Sequence, residues 1–189
     1  LTLDGRNFET TQSVTKLWQP EGDTQILVTE NPSYKDLRHR RTVFFVDQTY
    51  YVIVDEAIGD AKGTVNLNYH FCEGTVNIDV KENAITTAYE GPSNVKLQCF
   101  PETEASLKEE EGWRSTAYRQ RVPRTSLSFN VNKNNAEAVR YITIIYPVKD
   151  ITKYPTLTAK FQNKGFDEKG VKVEVSVNGT ARQLMSQLK

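Results

Sequence analysis

Apolar and polar residues alternate with a two-residue period along most of this chain, and the period lapses only at short polar clusters. The clearest run sets Val171, Val173, Val175 and Val177 against Lys172, Glu174 and Ser176. Val65, Leu67, Tyr69 and Phe71 oppose Asn66, Asn68 and His70 in the same way. Successive side chains of a strand point to opposite faces, so both runs read as strands with one apolar face, in sheets packed on one side. Val43–Val46 and Tyr50–Val54 are β-rich runs separated by Asp47, Gln48 and Thr49, which predicts a hairpin. Further strands are predicted at Thr24–Thr29, Thr75–Val80, Ala84–Tyr89, Val95–Phe100, Ser126–Val131, Arg140–Tyr146 and Leu157–Phe161. Asp4-Gly5, Glu21-Gly22, Glu73-Gly74, Gly91-Pro92 and Asn178-Gly179 are turn signals between them. No segment carries the period of a long amphipathic helix. Short strands punctuated by turns predict an all-β protein, an antiparallel β-sandwich or distorted barrel.

One stretch departs from this grammar. Pro101–Gly112 carries Glu102, Glu104, Glu109, Glu110 and Glu111 with few apolar residues, and reads as a long solvated loop. A chain of 189 residues accommodates one sandwich with a sizeable core, and no composition shift marks a domain boundary. Lys plus Arg and Asp plus Glu both number 24, so no net field favours nucleic acid or an anionic membrane as partner. No apolar run approaches the roughly 20 residues that span a bilayer. Leu1 is not an initiator Met, so the chain reads as a processed or excised piece. The two cysteines, Cys72 and Cys99, lack CxxC metal spacing and read as reduced, buried, small apolar residues.

Few residues carry obvious chemistry. His39 and His70, the two histidines, read as surface or hydrogen-bonded structural residues, because a third metal ligand is not evident. Asp55 and Glu56 end a strand without an identifiable partner and read as structural. Trp18-Gln19-Pro20 and Tyr154-Pro155 read as packed turns. Two basic clusters are the stronger lead: Arg38, Arg40 and Arg41, and a second one of Arg114, Arg119, Arg121 and Arg124 interleaved with Trp113 and Tyr118. The plainer account is that these arginines balance Glu109–Glu111 and lie over the core. The functional account is that guanidinium groups pair with sulfate or carboxylate while the aromatics stack on sugar faces. On that account Arg38, Arg40, Trp113, Arg114, Tyr118, Arg119 and Arg121 are the candidate substrate-binding residues.

Several segments, in this order, resemble the heparinase II/III family of polysaccharide lyases. They are Leu1-Thr2-Leu3-Asp4-Gly5, Arg41-Thr42-Val43-Phe44-Phe45, Tyr51-Val52-Ile53-Val54-Asp55 and Asn68-Tyr69-His70-Phe71. Gly112-Trp113-Arg114-Ser115 with Tyr118 and Pro123, and Thr143-Ile144-Ile145-Tyr146-Pro147, complete the set. The resemblance covers most of the chain and is closest to the heparan-sulfate lyases of Bacteroidetes. It implies a supersandwich, galactose-mutarotase-like fold for residues 1–189, following an N-terminal α/α toroid that this chain does not contain. It also implies a periplasmic or secreted parent that cleaves heparin or heparan sulfate by β-elimination.

β-Elimination requires neutralising a uronate carboxylate, removing the C5 proton and protonating the leaving oxygen. In the resembled family these tasks fall to residues that precede the matching segments, as does the His/Asp set that supports a divalent metal. No catalytic or metal-binding residue is therefore assigned here, no cofactor is expected within the chain, and the isolated domain is expected to be inactive. The partners implied are a sulfated glycosaminoglycan and the toroid. A stand-alone carbohydrate-binding module and a purely structural sandwich are the alternatives, and a start at Leu1, inside a motif, weighs against the first of these.

Overall fold

The computed structural model describes residues 1–9 and 12–188, and among them no helix forms. With strands numbered in chain order, the largest sheet has eight: β2 (Val14–Gln19), β3 (Thr24–Tyr34), β4 (Leu37–Val46), β5 (Tyr50–Ile58), β14 (Val139–Val148), β9 (Asn94–Pro101), β8 (Ala84–Thr87) and β7 (Val76–Asp79), in that spatial order. A four-stranded sheet runs β1 (Thr2–Leu3), β6 (Gly63–His70), β13 (Ser126–Lys133), β10 (Ser106–Glu110). A three-stranded sheet contains β15 (Leu157–Phe161), β16 (Lys172–Val177) and β17 (Thr180–Met185). A ribbon pairs β11 (Trp113–Arg114) with β12 (Val122–Pro123). Every pairing is antiparallel.

The β4–β5 hairpin closes as the sequence predicts. Val46 pairs with Tyr50, Thr49 donates its N–H to the Val46 carbonyl at 2.9 Å, and Asp47 and Gln48 take φ of 49° and 51°. Two central residues at positive φ make a turn whose twist matches that of the strands. Asn178-Gly179 joins β16 to β17 in the same way, with φ of 49° and 84°.

Alternation along each strand gives the eight-stranded sheet two apolar faces. On β5, Tyr50, Val52 and Val54 enter one core with Ile142 and Ile144 of β14, against Val173 and Val175 of β16 and Leu184 of β17. Ala57 of β5, Tyr141 of β14 and Leu97 and Cys99 of β9 enter a second core with Val65 and Leu67 of β6 and Phe129 of β13. The large sheet is thus the middle layer, with a smaller sheet on either side. The outward face of β6 keeps the polar residues Asn66, Asn68 and His70, as the alternation predicts.

The run at Val65–Phe71 follows the β4–β5 hairpin in sequence and lies in the four-stranded sheet. Other expectations change. Pro101–Gly112 is not a continuous loop: β10 lies inside it, burying Leu107 while Ser106, Lys108 and Glu110 face solvent. Charges suit an edge strand, and they hide its alternation behind one apolar residue. Cys72 is exposed, although Cys99 is buried. It falls just past β6, at the turn before Glu73-Gly74, where no layer covers it. The strands β2 and β17 were not predicted. A bulge between Thr15 and Leu17 breaks the period of β2, and β17 buries only Leu184.

Candidate functional site

The two basic clusters lie on different parts of the molecule. Arg38 and Arg40 are two apart on β4 and point to the side of the three-stranded sheet. Arg40 is only 1% exposed. Its Nε donates to Glu30 Oε1 at 2.6 Å, its Nη2 to Glu168 Oε2 at 2.9 Å and its Nη1 to the Asp167 carbonyl at 2.9 Å, with the Phe166 ring 4.7 Å away. Arg38 shares Glu30 and Glu168 and also faces Phe166. A guanidinium this buried and already bonded to two carboxylates and a carbonyl is closed to a sulfate, so the reading of Arg40 as part of an accessible anion site is corrected by its burial.

Arg41 points the opposite way, as alternation on a strand dictates. Its Nε and Nη2 donate to Asp55 Oδ1 and Oδ2 at 2.8 and 3.1 Å, across the β4–β5 register that places the two residues opposite each other. His39 Nε2 lies 2.5 Å from Asp55 Oδ1. Burial lowers the His39 pKa against the opposing pull of the Asp55 hydrogen bond and charge. Burial alone would raise Asp55, but the Arg41 charge and the His39 and Arg41 hydrogen bonds together hold it far below the usual range. The neighbouring Glu56 faces the other layer, where Arg140 Nε donates to it at 3.0 Å and Arg140 Nη1 to Glu102 at 2.9 Å. Arg140 also stacks 3.8 Å from the Phe161 ring. Burial pushes Glu56 up to about 7 against the pull of Arg140, and its Oε2 has no partner. Both carboxyl groups are enclosed and structural. Their partners come from adjacent strands and a distant loop, a juxtaposition that strand grammar alone does not reveal.

The second cluster gathers on the β11–β12 ribbon. Trp113 pairs with Pro123 and Arg114 with Val122, and the tip turns through Ala117 to Gln120 with Arg119 at φ 61°. The ribbon is rooted on the four-stranded sheet. Arg124 donates its N–H to the Gly112 carbonyl at 3.0 Å, and Gly112 lies so close to Ser126 that a Cβ there would stand 1.8 Å from Ser126 Oγ. His70, exposed on β6, accepts or donates at Nδ1 to that Ser126 hydroxyl at 2.8 Å. Arg121 stacks 4.2 Å from the Trp113 ring and Arg119 5.2 Å from Tyr118. Trp113 is 41% exposed and Tyr118 85%. Arg114 pairs with Glu73 at 2.6 Å. Arg119 and Arg121 form no ion pair with Glu109–Glu111 among the described residues; Glu110 instead accepts from Ser128 and Glu111 from Trp113. The structure therefore brings Trp113, Arg114, Tyr118, Arg119 and Arg121 together on one projecting element and leaves Arg38 and Arg40 apart from it. Cations stacked on exposed rings, with no carboxylate to neutralise them, suit a flexible anionic polymer that offers both charge and ring faces.

No three His, Cys, Asp or Glu side chains converge as a metal ligand set among the described residues. His39 is committed to Asp55, and His70 to Ser126.

Comparison with known proteins places these features in context. Residues 1–160 match the family model for the C-terminal region of heparinase II/III-like proteins. A heparin-sulfate lyase of Bacteroides stercoris is 53% identical over 184 residues, 97% of this chain and 28% of its own length. One from Bacteroides thetaiotaomicron is 37% identical, over 87% of this chain and 24% of its own length. The chain thus spans little more than a quarter of these relatives. Among solved structures, a heparinase III gene product superposes with a TM-score of 0.96 at 57% identity, covering 99% of this chain and 29% of that one. The heparan sulfate lyase of Pedobacter heparinus gives 0.90 at 29% identity, with 100% and 30% covered.

Proposed function

Because the chain belongs to the heparinase II/III-like C-terminal family, we propose that it is the β-sandwich domain of a lyase that cleaves heparin or heparan sulfate by β-elimination. Its own contribution is a wall that contacts the glycan, while the proton-transfer groups lie in the rest of the polypeptide. The observation that carries this reading is the match itself, which spans 97% of this chain and 28% of a heparin-sulfate lyase.

The chemistry of the described residues agrees with the division. Elimination needs a base beside the uronate C5 proton and a donor beside the leaving oxygen. His39 is locked in a buried hydrogen bond, Asp55 is held charged between Arg41 and His39, and Glu56 is sealed beneath Arg140. None of them can reach a polymer. The ribbon can. Arg119 and Arg121 would meet sulfate or carboxylate groups while Tyr118 and Trp113 pack on sugar rings. Among the described residues no ligand set gathers for a divalent metal of the kind the family resemblance implies. A polymeric glycan substrate is the ground for proposing a periplasmic or secreted parent.

The test is ultraviolet absorbance of the unsaturated uronate formed from heparan sulfate. The expected outcome is no absorbance rise with the 189-residue chain and a rise with the longer polypeptide of its reading frame. A robust rise from the 189-residue chain alone would overturn the division of labour and send mutagenesis to His70 and the ribbon.

A further inference from the structure

The match to the family model ends at residue 160, and the chain beyond it forms β16 and β17. Between β15 and β16 the chain loops out through residues 162–171, and after β17 it returns alongside that loop. The Ser186 N–H donates to the Val171 carbonyl at 3.0 Å, and the Val171 N–H donates to Ser186 Oγ at 3.2 Å. Leu188 donates its N–H to the Lys169 carbonyl at 2.8 Å. The two segments approach so closely at Gly170, whose φ is 133°, that a Cβ there would stand 2.1 Å from the Ser186 carbonyl oxygen. Beside this seam opens a cavity of about 340 Å³, walled by Gln162, Asn163, Lys169, Lys172, Met185 and Gln187.

Two buried arginines brace the rim. Arg40 Nη1 donates to the Asp167 carbonyl at 2.9 Å. Arg140 Nη1 and Nη2 donate to the Asn163 carbonyl and to Asn163 Oδ1, each at 3.3 Å. Asn163 Oδ1 also accepts the Lys172 N–H at 3.1 Å. A loop held at both ends loses little freedom when a ligand enters. The charges on the rim, by contrast, are uncompensated. Lys169 and Lys172 are exposed and form no ion pair among the described residues, and the same holds for Lys164 on the same loop. Carboxylates that could neutralise them are committed elsewhere. Glu168 pairs with Arg38 and Arg40, and Glu174 accepts from Lys160, Gln162 and Gln183. Asp167 also lines the cavity, and its Oδ1 accepts the Lys169 N–H at 2.9 Å. Met185, 49% exposed, is the apolar part of the wall.

We propose that this cavity is a second glycan site, holding an anionic sugar unit of a sulfated polysaccharide at a place separate from the ribbon. The proposal rests on reading the chain as a domain of a heparan-cleaving lyase. Ammonium groups without counter-ions attract sulfate or uronate carboxylate as point charges. Gln162 Oε1 and the Gln187 amide offer hydrogen bonds to ring hydroxyls, and the Met185 thioether packs on the C–H face of a ring. The volume lies at the low end of the range for small-ligand pockets, which suits a sugar unit and not a folded partner. The ribbon is rooted on the four-stranded sheet, and this cavity belongs to the three-stranded sheet on the other side of the middle layer. A short oligosaccharide therefore occupies one site at a time. A polymer held at both is retained more tightly than at either one.

Titration of the 189-residue chain with a heparan-sulfate tetrasaccharide, followed by amide NMR, tests this. The Gly170, Lys172 and Gln187 amides are expected to shift along a saturating curve. Lys169→Gln with Lys172→Gln should weaken that binding by about threefold to tenfold, the effect of two solvent-exposed ion contacts. Arg119→Ala with Arg121→Ala should leave these three shifts in place. Both lysines are exposed and unpaired, so the lysine double variant should keep the parent's melting temperature, and its titration reads binding alone. Unmoved Gly170, Lys172 and Gln187 amides would overturn the proposal. So would an equal response to inorganic sulfate at matched sulfate concentration, which would mean an adventitious ion only. So would an equal response to a polyglutamate peptide, because charge alone would then be recognised and not the sugar. The lyase assay on the longer polypeptide of the reading frame separates the two readings. Product formation with unmoved amides keeps the lyase and removes the second site, and shifted amides without product formation do the reverse.

Discussion

Asp55 and Glu56 are adjacent, yet the two layers that enclose them move their protonation in opposite directions. Asp55 is held charged by Arg41 and His39, so its folded pKa lies below its unfolded one. Its stabilising contribution is therefore present above the unfolded value of about 3.9 and lost as pH falls below it. Asp55→Asn removes the buried carboxylate that accepts from His39 and from the partly exposed Arg41, and should cost about 1–3 kcal/mol in urea unfolding at neutral pH, with a shallower loss of stability in acid than the parent shows. Glu56 behaves in the opposite sense. Its folded pKa of about 7 lies above the unfolded value of 4.5, so its contribution is complete below 4.5 and disappears as pH rises through 7. That difference corresponds to about 3 kcal/mol. Urea midpoints should fall between pH 5 and 7.5 in the parent and change less in Glu56→Gln. Equal slopes in the two proteins would show that Glu56 does not carry this proton.

At the scale of elements, the ribbon is where binding and folding separate. Among the described residues Arg119 and Arg121 form no ion pair and lie over the Tyr118 and Trp113 rings, so replacing both with Ala should leave the unfolding free energy within about 0.5 kcal/mol. The same pair of changes should shift elution from immobilised heparin to lower salt, since contacts between exposed charges are screened by ions. Unchanged elution would remove the ribbon from the glycan surface. Gly112 tests the root instead of the tip. A Cβ there would stand 2.7 Å from the Arg124 carbonyl as well as against Ser126, so Gly112→Ala must push the ribbon off the sheet. The expected result is a loss of about 1–3 kcal/mol together with weaker heparin retention, measured by thermal unfolding and the same column.

For the whole molecule, the eight-stranded sheet is the shared wall of both cores. Phe129→Ala empties the core on the four-stranded side and should cost about 3–5 kcal/mol; Leu184→Ala does so on the three-stranded side and should cost about 2–5. Because the two cores meet only through the middle sheet, their effects should add, and each should lower the same single transition in calorimetry. Two separable transitions would mean that the layers fold as independent units.

The two-residue period of the sequence determined the strands β3, β6, β13, β14 and β16, and the polar triplet after Val46 determined the hairpin. Local sterics and side-chain alternation are enough for these, because each is fixed by neighbours in the chain. The order of the resembling segments gave the family, since a run of spaced motifs is a linear property. The edge strands β2, β10 and β17 stayed hidden, because a bulge or a single buried residue leaves too little period to read. The grouping of Arg38, Arg40 and Arg41 was also misleading: consecutive strand residues point to opposite layers, so one cluster in sequence becomes two sites in space. Only the tertiary structure decided that Arg40 is sealed against Glu30 and Glu168, that Asp55 faces Arg41 across a register, and that the ribbon holds Arg119 and Arg121 on bare aromatic rings. The physical reason is common to all three. Burial and ion pairing are set by which distant segments share a layer, and that information lies in the packing of the sheets, not along the chain.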